Sequence, residues 1–138
     1  MSDWKRTLAD AENKGYSVDW IEYKIEKGHI DRATCIDDIK SLPPKIAPGF
    51  MLYDEHSQKF ERLTDKQIGR VIRAAVLYKT TGELLTLTTL EEFLFLDLKN
   101  DIDRNQTDYA RKCRDNQANI VKRWRIGDRE KGDREAEN

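Results

Sequence analysis

Apolar residues recur at spacings of three and four along most of the chain, and that period predicts helices almost throughout. Trp4, Leu8 and Ala11 share one face of a first helix, with Ser2 as candidate N-cap and Gly15 just past its end near Lys14. Val18, Ile21 and Ile25 form the inner stripe of a second helix, capped by Ser17 and closed by Gly28. A third, over Arg32 to Leu42, turns Cys35, Ile36 and Ile39 inward. Pro43-Pro44 stops it, because proline lacks an amide hydrogen and restricts the residue before it. Residues 50–63 read as helix or a short strand. Thr64 then opens a clear helix through the capping box T-D-K-Q, with Ile68, Val71, Ile72, Ala75 and Val76 as its stripe and Gly69 allowing close helix packing. Its end is expected near Lys79.

A second capping box, Thr88 to Glu91, starts the longest element. From Thr89 to about Arg125 there is neither proline nor glycine. Leu94, Leu98, Ile102, Tyr109, Cys113, Ile120 and Trp124 run along one side, and Gln106, Asn116 and Gln117 interrupt that line. One helix of roughly 35 residues is about 50 Å long. That exceeds the radius of a domain of this size, on the order of 14 Å. Its C-terminal half must therefore project, pair with another chain, or break near Asn116-Gln117.

These elements predict an all-α fold: a small helical bundle with a long C-terminal helix and an N-terminal helical appendage. The appendage is residues 1–42 and the linker 43–49, which holds all three prolines. The main helical domain is 50–125. The charged tail 126–138 reads as disordered.

Charged residues make up 37% of the 138 residues and the net charge is −1, which hides an asymmetry. Residues 1–103 hold 15 basic and 19 acidic side chains, residues 104–125 seven and two, and residues 126–138 three and five. The basic block thus falls on the second half of the long helix. There the apolar set Ile102, Tyr109, Cys113, Ile120 and Trp124 spans an arc of about 60°, with Arg104, Arg111 and Lys122 almost opposite. Two readings stay open. Arg104, Arg111, Arg114, Lys122, Arg123 and Arg125 can displace counterions from nucleic acid, with Trp124 adding base stacking. Alternatively, Asp108 and Asp115 pair with these bases at i,i+3 and i,i+4, and the face is a solvated or coiled-coil one.

Few chemistries find support. His29 and His56 are isolated, and no spacing puts ligands around a metal. Cys35 and Cys113 read as semi-buried thiols. Phosphate-binding glycine loops and nucleophile elbows are missing. No catalytic residue, metal or cofactor is assigned, and no apolar run approaches the length of about 20 residues that spans a bilayer. A cytoplasmic location is expected.

The stretch from Phe50 to about Lys122 resembles a family of small phage and prophage proteins, the DUF6291 type. Three segments carry the resemblance in order: Phe50 and Tyr53 as F-x-x-Y, the helix from Leu63 to Ala74, and Asp103-Arg104-Asn105 followed by Tyr109. Residues 1–49 are extra. Where members run into a glycine- and lysine-rich end, Asn119 to Arg125 continue helical. The resemblance implies a bacterial host, a setting among replication genes and no catalytic residues. The expected function is a non-enzymatic phage-type accessory protein that contacts nucleic acid or a replication protein. The alternatives are an inhibitor that blocks a host protein, with Trp4, Trp20 and Tyr23 as its aromatic hot spot, and an oligomerising module, a homodimer through the long helix. Those three aromatics can equally pack the appendage in place.

Overall fold

The structure is a computed structural model. It describes residues 3–137, with side-chain surroundings through residue 132. All regular elements among the described residues are helices: α1 (Asp3–Asn13), α2 (Val18–Glu26), α3 (Cys35–Lys40), a 3-10 turn (Asp54–His56), α4 (Ser57–Glu61), α5 (Asp65–Thr81) and α6 (Thr89–Glu137). The fold is all-α with a long C-terminal helix, as expected. The expected N-cap Ser2 lies outside the described residues. The chain groups into two compact units, Met1–Ile46 with Thr107–Asn138, and Ala47–Gln106. The boundary at Ile46 falls inside the proline segment. The expected 50–125 domain is divided differently, since residues from Thr107 onward group with the N-terminal helices.

In the first unit, α1 and α2 both end in a Schellman turn. Tyr16 N–H bonds the Ala11 carbonyl at 3.0 Å and His29 N–H the Lys24 carbonyl at 2.9 Å, with Gly15 and Gly28 at φ +101° and +75°. The two glycines differ in surroundings. A Cβ on Gly15 would sit 2.9 Å from the Lys45 Cβ and 3.3 Å from the Ala110 Cα, whereas one on Gly28 would meet nothing within 4 Å. Gly15 is therefore where the chain passes hard against α6. Ala11, Tyr16, Ile21 and Ile39 form the core, with Trp4, Leu8, Trp20, Ile25, Cys35 and Leu42 packed around it. The proline segment is fastened to this unit: Tyr16 Oη donates to the Pro43 carbonyl at 2.7 Å, and Lys45 N–H to the Lys14 carbonyl at 2.7 Å. The third helix is shorter than expected and covers six residues.

From residue 107 onward α6 does not bury the expected Tyr109, Cys113, Ile120 and Trp124 stripe. Ala110 and Val121 are buried, while Ile120 and Trp124 are 39% and 38% exposed. The buried line lies one position, about 100°, round the helix. It accepts Arg114 and Gln117 because backbone groups of the N-terminal helices need partners there. The helix also continues past Arg125, through Gly127 and Gly132, into the segment expected as a charged, disordered tail. Its extension is held by Asp128, which pairs with Lys27 at 2.9 Å and accepts from Tyr23 at 3.0 Å.

In the second unit Leu63, Val71, Ala74, Ala75, Leu94, Phe95, Leu98 and Ile102 form the core, with Phe50, Phe60, Ile68, Ile72, Tyr78 and Leu87 against it. Residues 50–53 form no regular element, with Tyr53 extended, before the 3-10 turn and α4. Both expected capping boxes are present. Thr64 accepts from Gln67 N–H at 3.2 Å while Gln67 accepts from Thr64 N–H at 2.9 Å. Thr88 and Glu91 make the same exchange at 3.4 and 3.2 Å. Two expectations on α5 change: Val76 is 46% exposed, and a Cβ on Gly69 would meet nothing within 4 Å, so this glycine serves no close packing.

Two alanine substitutions therefore act in opposite directions. Gly69→Ala raises unfolding stability by up to about 1 kcal/mol, by removing backbone freedom from an exposed helix interior. Gly15→Ala lowers it by about 2–4 kcal/mol, combining a left-handed φ with a clash against the Lys45 side chain and a tight approach to the Ala110 backbone. Urea denaturation measures both, and a neutral Gly15→Ala contradicts the close approach to Ala110.

Candidate functional site

All but Tyr109 of the residues that carried the family pattern lie in the second unit. Asp103-Arg104-Asn105 sits on α6; Asp103 and Asn105 tie other segments, and Arg104 bonds within the helix. Asp103 accepts from Tyr78 Oη at 2.6 Å, which raises the Tyr78 pKa, and from Lys99 at 3.2 Å. Arg104 donates to Asp101 Oδ1 at 2.8 Å. Asn105 accepts from Tyr53 Oη at 3.3 Å, which fastens the segment before the 3-10 turn. The next residue, Gln106, accepts from Ala47 N–H at 2.8 Å.

His56, expected as an isolated histidine, is buried with its Nε2 2.7 Å from Asp101 Oδ2. A carboxylate only accepts, so Nε2 carries the hydrogen. Asp101 is itself 4% exposed and has Arg104 on its other oxygen. A polar cavity of about 320 Å³ opens beside them, lined by Glu55, His56, Lys59, Asp97, Asn100, Asp101 and Arg104. Glu55, His56 and Asp101 each bring one ligand atom within 4.8 Å of the others, the grouping that can hold a metal ion. Here Arg104 already supplies the cation that neutralises Asp101. The arrangement is a completed His–Asp–Arg network that joins the 3-10 turn to α6. His56 and Asp101 are 45 positions apart, so no linear spacing could reveal them.

In the first unit the expected basic face separates into held and free members. Arg114 donates to the Glu12 carbonyl at 3.1 Å, satisfying a group at the end of α1. Arg125 grips Glu26 through two bonds of 2.9 and 3.3 Å, which lowers the Glu26 pKa. Trp124 packs on Tyr23 with ring centroids 5.3 Å apart, and Lys24 lies 5.3 Å from the Trp124 ring. Arg111 pairs with Asp108 at 3.0 Å, whereas Arg104, in the other unit, pairs with Asp101 and not with Asp108. Lys112, Lys122 and Arg123 are exposed and have no ion pair among the described residues. Trp4 and Trp20 pack against the first unit's core, and Tyr23 lies against Trp124. All three proposed hot-spot rings therefore make contacts within their own unit.

Gln117 was visible in the sequence only as a polar break in an apolar line. Its Oε1 accepts from Ser17 N–H at 2.9 Å, while Ser17 Oγ caps Trp20 N–H at 3.4 Å. In a capping box the third helical residue supplies that first acceptor. Here that residue is Trp20, which cannot, and α6 completes the box with Gln117.

The chain matches the family of unknown function DUF6291 over residues 49–127. It belongs to this family. The DUF6291 portion begins at Gly49, just past the unit boundary, and ends at Gly127, so it holds nearly all of the second unit and most of α6. Helices α1–α3 lie outside it. No curated protein and no solved structure gives a significant match. Among the described residues, no helix is long and apolar enough to cross a membrane.

Three carboxylates make stability acid-sensitive. Thr88, together with Arg70, lowers the Glu91 pKa, Arg125 lowers that of Glu26, and Lys27, with Tyr23, lowers that of Asp128. The folded chain then binds fewer protons than the unfolded chain between the lowered and free values. Their contribution is complete above the free glutamate value of 4.5 and is lost as pH falls through the folded values. Urea midpoints measured from pH 7 to pH 3 should drop below about pH 4.5, and Glu91→Gln should flatten that drop. An unchanged pH slope in Glu91→Gln contradicts the assignment.

Proposed function

We propose that the chain is a non-enzymatic, phage-type accessory protein that works in the cytoplasm of a bacterial host and contacts nucleic acid through the outward side of α6. The observation that supports this reading is the placement of Lys112, Lys122 and Arg123. They are exposed and have no ion pair among the described residues, while Arg114, Arg125 and Trp124 are occupied by the N-terminal helices. Arg111 contributes less, because Asp108 already neutralises it. The contact set is therefore smaller than the seven residues the sequence nominates, and Trp124 is not part of it. An inhibitor working through Trp4, Trp20 and Tyr23 draws less support, because those rings serve the first unit itself.

A contact made by about three cations gives weak, sequence-independent binding. Each phosphate neutralised on a duplex contributes about −0.9 to the slope of log affinity against log salt. Fluorescence anisotropy with a labelled 20-base-pair duplex at low salt should show saturable binding with a slope of about −2 to −3. Lys122→Glu with Arg123→Glu should weaken it about tenfold or more. Arg125→Glu is a poor test, since it breaks the Glu26 pair. Binding that is absent at low salt, or unchanged in the double variant, rejects the reading.

A further inference from the structure

The second unit exposes apolar side chains that its own core does not require. Leu90 and Phe93, in the first turns of α6, are 54% and 62% exposed, although the neighbouring Leu94 is 1% exposed. An amphipathic helix places polar residues at such outward positions. Between them and α4 lies a cavity of about 210 Å³, lined by Leu63, Leu90, Phe93, Leu94, Lys59 and Arg62. Leu63 and Leu94 are part of the core, so the floor is fixed. The helix start that carries the wall is held by the Thr88–Glu91 capping box, with Arg70 2.9 Å from Glu91.

Size and charge point to one occupant. A cavity of about 150 Å³ suffices for benzene, so this one takes a single Phe- or Leu-sized side chain. The two polar residues lining it are both cations. Lys59 is engaged by Asp97, and Arg62 is exposed with no ion pair among the described residues. The four apolar lining side chains offer neither donor nor acceptor to a base edge, which disfavours a nucleobase. We infer that this slot docks an acidic peptide segment through one apolar anchor residue, with Arg62 meeting the peptide's carboxylates. The partner is thus a protein with an acidic linear segment. The residues lining this slot do not include Lys122 or Arg123, so either assignment can fail alone.

The test uses the full chain and a fluorescein-labelled twelve-residue peptide of Asp and Glu with one central Phe. Anisotropy should show saturable binding. It should weaken at least tenfold when the peptide Phe becomes Ala, when its acids become Lys, or in Arg62→Glu. Phe93→Ser should do the same, and because Arg62 lies outside the core, Arg62→Glu decides the matter if Phe93→Ser does not fold. Lys122→Glu with Arg123→Glu should leave peptide binding unchanged. No saturation at millimolar chain overturns the inference, as does equal binding of the Ala peptide. Displacement by an oligothymidylate reassigns the slot to nucleic acid. A concentration-dependent dimer that Phe93→Ser abolishes reassigns it to a second copy. Both results overturn it.

Discussion

Short helices leave about as many backbone groups unsatisfied as they satisfy, and every helix outside α5 and α6 is short. This constraint organises the structure. The chain has too little apolar surface to hide those ends, so it answers them with side chains from its one long helix. Gln117 accepts the Ser17 amide hydrogen and Arg114 donates to the Glu12 carbonyl, and Gln106 does the same service for Ala47 in the proline segment. A buried donor or acceptor left without a partner costs about 1–3 kcal/mol. Polar residues at inward positions of α6 therefore stabilise the fold where a leucine would leave a neighbour's backbone unpaired.

Local rules made much of this legible. Capping boxes, the two Schellman glycines and the proline stop are all set by neighbours within a few residues, and each was readable from the sequence. The period of α6 was also clear, but its inward line was not. Tyr109, Cys113, Ile120 and Trp124 are the more hydrophobic choice, and they lie beside the line that is actually covered. What decides the matter is the demand of the partner segment, a long-range quantity. The same holds for His56 and Asp101, whose pairing depends on how the 3-10 turn meets α6. The start of the charged tail shows the same long-range dependence: Lys27 and Tyr23 hold Asp128 on α6.

The division of charge also changes meaning. The net +5 of residues 104–125 suggested a basic arm, yet the bases there have different roles. Arg114 and Arg125 act as connectors within the first unit, and Arg104 completes a buried network in the second. Arginine suits such roles because its planar fork holds two geometric bonds at once, as Arg125 does on Glu26. The motif Asp103-Arg104-Asn105 is an anchoring device for Tyr78, Asp101 and Tyr53.

The way the first unit is drawn from both ends of the chain bears on its synthesis. Ser17 and Gln117 are 100 positions apart, and Glu26 and Arg125 are 99. The second unit lies wholly between them, from Ala47 to Gln106. A ribosome adding about 5–20 residues per second completes that inner unit before the helix turns that α1 and α2 require have been made. Until then α1–α3 have only the small core they share, built on Ala11, Tyr16, Ile21 and Ile39, because helices this short are marginal in water by themselves. Fastening Ser17 to Gln117 and Glu26 to Arg125 therefore waits on the last part of the chain to be made.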